Sequence, residues 1–361
     1  SRQERPENKL HRKTMTITRK RFTHTLLPAL LAAFAGFAAC SSDDDAPEPP
    51  KPSGYDIYTA GYTTPASKAV ATVWKNGQLL YTLTDGTNDA WAYAVCVSDG
   101  TVYAAGYERQ SDRIVAKVWE NGTLKYTPGA PGADSYAYSV FAANGSLYTA
   151  GSEESGGDGD ALYAYSVSPA VSQARSVCVS GGDVYAAGSL QSGLTKPLAV
   201  VWKNDKAHYT LSDGETPAGV NALCLSGRTL YAAGHSGGAA AVWKDKELLY
   251  TLTDGSSYAE ATAVCRFGHT LYTAGYHTDG FEEEGVVWKE GQELFDLSDG
   301  PGSGSIPYSV AVCYDDIFTA GTIFGTTRTA VVWHGDEIRY TLSDGTGHSE
   351  AYSMYVVPLY D

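Results

Sequence analysis

The chain has 361 residues, of which 43% are hydrophobic, 12% aromatic and 19% charged. This length and apolar content suffice for a sizeable core, which excludes a disordered chain, and the 39 glycines follow no Gly-X-Y period, which excludes collagen. The formal net charge is −15, and without residues 1–39 it is −21, from 18 Lys and Arg against 39 Asp and Glu. Because this charge repels phosphate backbones, we expect no nucleic-acid partner.

The N-terminal segment predicts a targeting signal and not a folded domain. A basic stretch at 16–24 precedes 14 apolar residues at 26–39, which are too few to span a bilayer but suit the core of a signal peptide. Small residues precede Cys40, and this pattern resembles the signal of bacterial lipoproteins, in which the cysteine is lipidated. We interpret residues 1–39 as an upstream extension and a lipoprotein signal peptide starting at Met15, and we expect membrane contact only through the lipid on Cys40.

Residues 40–54 predict an extended tether, because they are acidic, rich in proline and offer nothing to bury. An acidic run directly after the lipidated cysteine resembles the surface-export signal of Bacteroidetes lipoproteins. The resemblance implies a bacterial outer-membrane lipoprotein displayed on the cell surface, with a periplasm-facing position as the alternative. No other segment is apolar enough to cross a membrane.

Four short segments recur along residues 55–361. We name them, from the motifs that represent them, strand a (YSVCV), strand b (VYAAG), strand c (AVVWK) and strand d (LLYTL). Each is β-branched or aromatic and bounded by turn dipeptides such as Asn-Gly and Asp-Gly, so each predicts a β-strand. Four strands repeated every ~44 residues indicate the blade of a β-propeller.

The repeats predict an all-β fold over residues 55–361, a seven-bladed β-propeller with four-stranded antiparallel blades. The first repeat begins at strand b (56–61) and the last element is a lone strand a (351–357), so the C-terminal strand should join the N-terminal blade and close the ring. The third repeat is short by about one strand, which predicts that its outer strand is missing. Its strand c, 161–167, would then be an edge open to a partner strand, unless residues 168–175 fold over it.

The VWKNG and LTDG motifs resemble those of a group of Bacteroidetes lipoprotein propellers, and the resemblance covers residues 55–361. It implies a fold and a cellular address but no reaction. The repeats lack the combination of a Gly-His dipeptide with a later Trp-Asp dipeptide that marks WD repeats. They also contain no double glycine of the kelch type and no Ser-x-Asp-x-Gly box of the sialidase type.

Loop lengths separate the scaffold from the predicted binding face. The a–b and c–d hairpins keep their length, whereas the span from the strand-b glycine to the strand-c aromatic residue varies from 9 residues (Gly234 to Trp243) to 14 (Gly188 to Trp202). In a propeller the b–c and d–a connections open on one face, the loop face, and scaffolds carry function on their variable loops. We therefore expect the ligand on the loop face and regard the opposite turn face as inert.

The candidate ligand-binding residues lie in the d–a connections that lead into strand a, near the central channel. They are Trp91, Tyr93, Tyr136, Tyr138, Arg175, Asn221, Glu260, Tyr308, Glu350 and Tyr352. Aromatic rings, amides and carboxylates around a concave mouth suit a sugar, which stacks its apolar face on aromatic rings and hydrogen-bonds through its hydroxyls. The alternative is that the tyrosines pack blade against blade, with their hydroxyls bonded locally.

The remaining reactive residues do not predict catalysis. Four cysteines hold one repeat position on separate blades without C-x-x-C spacing, which predicts buried free thiols. The Asp of LTDG recurs, as a turn former does. The acidic loop 152–160 lacks EF-hand spacing, and His235 and His277, which we place in b–c loops, have no nucleophile near them in sequence. We predict no catalytic residue, no metal site and no cofactor.

The sequence therefore favours a monomeric, lipid-anchored and surface-exposed propeller that acts as a non-catalytic binding module, with a glycan or glycoconjugate as ligand. The alternative is a protein–protein interaction platform that uses the third-blade edge. A third hypothesis is a glycan hydrolase or lyase that uses Glu260 or Glu350, since glycosidic cleavage needs carboxylates beside the bond.

Overall fold

The computed structural model describes residues 20–21, 50–154, 170–192, 195–204, 206–278, 280, 282–297, 303–343, 345 and 347–361. The predicted lipidation site Cys40, most of the predicted tether, most of the acidic loop 152–160 and the predicted strand c of the third repeat (161–167) lie outside these ranges. The predicted absence of an outer strand in the third blade therefore also falls outside the described residues. Within them there is no helix, and hence no helical membrane span.

Most described strands belong to six antiparallel four-stranded sheets. In pairing order, from strand a to strand d, the first two sheets are β27 (Ser349–Leu359), β2 (Gly54–Thr63), β3 (Val70–Lys75) and β4 (Gln78–Thr82), and β5 (Ala90–Ser98), β6 (Thr101–Gln110), β7 (Arg113–Glu120) and β8 (Thr123–Tyr126). The next two are β11 (Ala170–Ser180), β12 (Asp183–Ser192), β13 (Leu198–Lys203) and β14 (Lys206–Thr210), and β15 (Ala218–Ser226), β16 (Thr229–Ser236), β17 (Ala239–Lys244) and β18 (Glu247–Thr251). The last two are β19 (Ala259–Phe267), β20 (Thr270–Thr278), β21 (Glu283–Lys289) and β22 (Gln292–Asp296), and β23 (Gly304–Cys313), β24 (Asp316–Phe324), β25 (Arg328–His334) and β26 (Glu337–Thr341).

A further sheet lies between the β5–β8 and β11–β14 sheets. In it β9 (Asp134–Ala143) pairs with β10 (Ser146–Glu154), which also pairs with the two-residue strand β1 (Lys20–Arg21). Strand β9 contacts β5 and β7 on one side and β11 on the other.

The sheets follow one another around a ring, as the repeats predicted. Each packs on the next in chain order, and β27 contacts β5 on one side and β23, β24 and β25 on the other. The C-terminal strand β27 pairs with β2 from Gly54 opposite Leu359 to Thr63 opposite Ser349, which confirms the predicted closure. The molecule is an all-β propeller with four-stranded antiparallel blades.

The core lies between neighbouring sheets. Strand c is buried on both faces, because each sheet packs against a neighbour on either side, and this explains its continuous apolar sequence. Trp119 is 1% exposed and packs with Val73 and Ala71 of the preceding sheet. Burying such a side chain stabilises the fold by roughly 2–3 kcal/mol, so the repeated tryptophans hold the blades together.

The Asp of the LTDG motif forms turns, as predicted. The Asp85 carboxylate accepts a hydrogen bond from the backbone N–H of Thr87 at 2.9 Å, and Asp213 and Asp254 accept equivalent bonds in their own repeats. These bonds lower the pKa of Asp85, because the charged carboxylate accepts them better. A local role in these three repeats accounts for the recurrence of the residue there.

The described cysteines are buried free thiols, as predicted. They are Cys96, Cys178, Cys224, Cys265 and Cys313. Burial raises the pKa of Cys96 to about 12, so this thiol stays protonated at neutral pH. Among the described residues, no group of three His, Cys, Asp or Glu side chains could hold a metal ion.

Candidate functional site

A β-bulge interrupts the pairing of strands a and b in each of the seven described inner strands. In β5, Ala92 pairs with Gly106 and Ala94 with Ala105, so Tyr93 between them has no partner across the ladder. The residues at this bulge position are Tyr93, Tyr138, Arg175, Asn221, Thr262, Tyr308 and Tyr352. Six of them are predicted site residues. A bulge redirects a side chain, and bulges are frequent beside functional sites.

The repeated glycine of strand b is the counterpart of this bulge. A Cβ atom on Gly106 would lie 1.9 Å from the carbonyl oxygen of Trp91, and one on Gly61 would lie 1.8 Å from that of Glu350. Only glycine allows the bulged strand to come so close. The recurrence of this glycine in the sequence indicates the bulge. The prediction of strand b from the same motif did not include a bulge.

The predicted aromatic residues lie together on the loop face. With two tyrosines of strand b they form one group, the aromatic cluster, which consists of Tyr62, Trp91, Tyr93, Tyr107, Tyr136, Tyr138, Tyr308 and Tyr352. All but Tyr62 are partly exposed, and Tyr62 is 7% exposed.

Ring contacts in the aromatic cluster run across blade boundaries. Tyr93 stacks on Tyr352 of the neighbouring sheet, with ring centroids 4.5 Å apart and planes inclined by 11°. The Trp91 ring lies 6.2 Å from the Tyr62 ring of the neighbouring sheet and 5.0 Å from the Tyr107 ring of its own sheet, measured between centroids. Blade-to-blade packing, the predicted alternative, is therefore present, while the partial exposure of Trp91 and its neighbours leaves aromatic surface at the mouth.

Three phenols of the aromatic cluster, those of Tyr93, Tyr308 and Tyr352, stay protonated at physiological pH. Burial raises the pKa of Tyr93, Tyr308 and Tyr352, and neighbouring tyrosines and Glu350 add to the shift. These three residues therefore offer neutral hydroxyl groups, which donate and accept hydrogen bonds.

The polar site residues lie together on other blades. Five residues form this group, the polar arc, which consists of Arg175, Asn221, His235, Tyr258 and Glu260. Arg175 Nη1 donates to Asn221 Oδ1 at 3.2 Å, and Asn221 Nδ2 donates to the carbonyl oxygen of Ala261 at 3.1 Å and, weakly, to Glu260 Oε2 at 3.5 Å. The Tyr258 hydroxyl donates to Glu260 Oε1.

His235 corrects one sequence prediction, because it and His277 belong to strands and not to b–c loops. Strand β16 extends to Ser236 because it pairs with both neighbouring strands, and β20 extends to Thr278. His235 Nδ1 lies 3.4 Å from Glu260 Oε1. Burial lowers the pKa of His235 and the charge of Arg175 acts in the same direction, while Glu260 opposes the shift. A neutral imidazole results at neutral pH.

Glu350 is not presented to the channel as an isolated carboxylate. It is 3% exposed, and its Oε1 accepts hydrogen bonds from Arg328 Nη1 at 2.6 Å and from the Tyr62 hydroxyl at 3.0 Å. Glu260 lies on β19, and the whole β23–β26 sheet separates it from β27, which carries Glu350. The two carboxylates are therefore held in separate side-chain networks.

Several site residues were missed by sequence reasoning. Tyr62, Tyr107 and His235 directly follow the repeated glycine of strand b, so an aromatic or imidazole ring after that glycine was a usable signal. Arg328 begins strand β25, and only its pairing with Glu350 identifies it as part of the site.

No protein-family model matches the chain, and no curated protein sequence matches it. Among solved structures, the chain is similar to the Trypanosoma rangeli sialidase in complex with sialic acid, with a TM-score of 0.39 and 10% sequence identity. The match covers 80% of this chain and 49% of the sialidase chain, so this chain spans about half the length of that structure.

Proposed function

We propose that this protein is a lipid-anchored, surface-exposed and non-catalytic propeller that binds a glycan or glycoconjugate at the aromatic cluster. The observation that supports the proposal is the convergence of eight aromatic side chains with the polar arc on the loop face. Partly exposed rings offer stacking surfaces to the apolar face of a sugar, and the amide, carboxylate and phenol groups offer partners to its hydroxyls.

The proposed ring has seven blades. The β9–β10 sheet contacts the β5–β8 sheet and the β11–β14 sheet, as a blade between them would. Its inner strand carries the same bulge as the others, at Tyr138, and its strand b has the same close approach at Gly151. These features favour a third blade built on the common plan.

The proposed anchor is the lipid on Cys40. The contacts of the last tether residues, which begin at residue 50 in the structure, support a direction for the binding face relative to the membrane. The Tyr314 hydroxyl donates to the carbonyl oxygen of Pro50 at 2.8 Å, and Lys51 lies 3.7 Å from Asp315. Tyr314 and Asp315 form the turn between β23 and β24, on the turn face. In this proposal the anchor lies toward the turn face, and the aromatic cluster faces away from the membrane.

The proposal is tested with a glycan and polysaccharide binding screen on the purified full-length protein, followed by titration of any ligand found. Replacing Trp91→Ala together with Tyr138→Ala removes two rings of the aromatic cluster, and we expect the affinity to fall about tenfold or more. Tyr360→Ala is the matched control, because Tyr360 is 48% exposed and follows the last strand, away from the aromatic cluster. Undiminished binding by the double variant would contradict the proposal.

The same screen tests the other functional hypotheses. Sugar released during incubation, and lost in Glu260→Gln or Glu350→Gln, would replace the binding proposal with the hydrolase or lyase. A panel without any binding glycan would favour the interaction platform. That platform would then be tested by inserting proline within residues 161–167, which prevents strand addition.

A further inference from the structure

Two acidic side chains of the described residues are buried, Glu108 and Glu350, and each is paired differently. Glu108 bonds Lys117, whose side chain is 14% exposed, so both charges are enclosed. Glu350 bonds Arg328, whose side chain is 56% exposed while that of Glu350 is 4% exposed. The second pair therefore buries its anion but leaves much of its cation in contact with solvent.

Arg328 is held in place beside the aromatic cluster. Its Nη1 donates to Glu350 Oε1 at 2.6 Å, and its guanidinium carbon lies 5.6 Å from the centroid of the Phe324 ring. The Tyr62 hydroxyl donates to the same Glu350 oxygen, and the Tyr62 ring lies 6.2 Å from Trp91. Since a guanidinium carries five N–H donors in one plane, the bond to Glu350 leaves donors for a ligand.

We propose that the glycan is acidic, and that Arg328 binds the carboxylate of a sugar whose ring, or a neighbouring ring, stacks at Trp91. This inference rests on the proposed glycan-binding function and names its ligand class. The planar donors of a guanidinium match the two oxygens of a carboxylate, which makes the contact both strong and directional.

The net negative charge of the chain limits where an acidic ligand can bind. The net charge of −15 repels anions at long range, so an acidic ligand is held only where a fixed cation meets it at short range. Glu350 orients the guanidinium and offsets part of its charge, so recognition depends on geometry more than on general attraction.

The test compares acidic polysaccharides (pectate, alginate and hyaluronan fragments) with the same fragments after reduction of their carboxylates to neutral alcohols. We expect the full-length protein to bind an acidic fragment about tenfold or more tightly than its reduced form. Arg328→Gln should abolish this preference. Arg113→Gln should preserve it, because Arg113 is an exposed arginine that also begins a strand c, on another blade.

Two further variants separate recognition from folding. Arg328→Lys keeps the charge but loses the planar donors, so most of the preference should disappear. Arg328→Gln leaves Glu350 buried without its cation, which can destabilise the fold. The double variant Arg328→Gln with Glu350→Gln removes that charge and should lack the preference while showing the wild-type circular dichroism spectrum.

Each outcome decides the inference. Equal binding of acidic and reduced fragments, lost in Trp91→Ala, would overturn it and leave the glycan-binding function standing. A preference that persists in Arg328→Gln or in the double variant would also overturn it, because another group would then bind the carboxylate. If no fragment and no other glycan binds, both the inference and the proposed function fail.

Discussion

Burial favours the uncharged form of the His235 imidazole in the polar arc. Burial lowers the pKa of His235 below its ordinary value of 6.5, although the Glu260 carboxylate 3.4 Å away acts in the opposite direction. Arg175, on the same polar arc, adds to the lowering. The imidazole is therefore neutral at neutral pH, and acid should weaken this part of the site.

His235 should make stability depend on pH just below its ordinary pKa. As the pH falls from about 8 to about 5, the unfolded chain takes up a proton at this position before the folded chain does, so the free energy of unfolding decreases and then levels off below the folded pKa. In His235→Gln this component is absent. The check is urea unfolding of both proteins across this range, and parallel pH profiles would show that the imidazole is not the cause.

The inner strands both join neighbouring blades and carry most of the candidate site residues. Their bulge residues face the mouth, and the next residue, always Ala or Ser, lies between adjacent inner strands. The Ser353 hydroxyl accepts a hydrogen bond from the backbone N–H of Val95 at 3.1 Å, and Ser176 accepts one from Leu223 at 3.0 Å. The serine after the bulge thus joins two blades, and the bulge residue beside it is the one that the proposal places near the ligand.

The close approach at the bulge predicts a large cost for one added methyl group. Gly106→Ala would place a Cβ against the Trp91 carbonyl oxygen, so the bulge must open, and we expect a loss of about 2–4 kcal/mol in the free energy of unfolding. Gly54→Ala is the control, because its Cβ would meet only Leu359 Cδ1 at 3.8 Å. Urea denaturation measures both, and equal stabilities would refute the steric explanation.

At the scale of the whole molecule, the ring is closed by strands from its two ends. Strand β27 pairs with β2 along its length and packs on the sheets on either side. The closing sheet also carries Tyr62 and Tyr352 of the aromatic cluster and the buried Glu350 carboxylate, which accepts a hydrogen bond from the Tyr62 hydroxyl. The same junction therefore supports both the fold and the candidate site.

Removing the closing strand should disrupt the propeller. Deletion of residues 349–361 exposes the edge of β2 and the apolar surface that β27 covers, so we expect the monomer to be lost to aggregation. A synthetic peptide of residues 349–361 should restore part of the monomer, as measured by size-exclusion chromatography. Deletion of Tyr360 and Asp361 alone, which lie beyond β27, is the control. A monomeric long deletion would show that closure is dispensable.

The strands and their order were predictable from the sequence, because β-branched and aromatic runs, Asn-Gly turns and the repeat period are local properties of the chain. The starting strand b and the lone final strand a sufficed to predict closure. The bulge position and the six predicted aromatic residues also lay at fixed places in the repeat, so the sequence could point to them.

The tertiary structure decided which of these residues meet and how they are charged. Tyr62 and Glu350 are 288 positions apart in the chain, yet ring closure brings their side chains within 3.0 Å. The repeat pattern contains no signal for Arg328, because its role comes from a buried partner on another strand of the ring. Burial and contacts between blades exist only in the assembled ring. The aromatic cluster and the polar arc therefore form only when the blades are brought together.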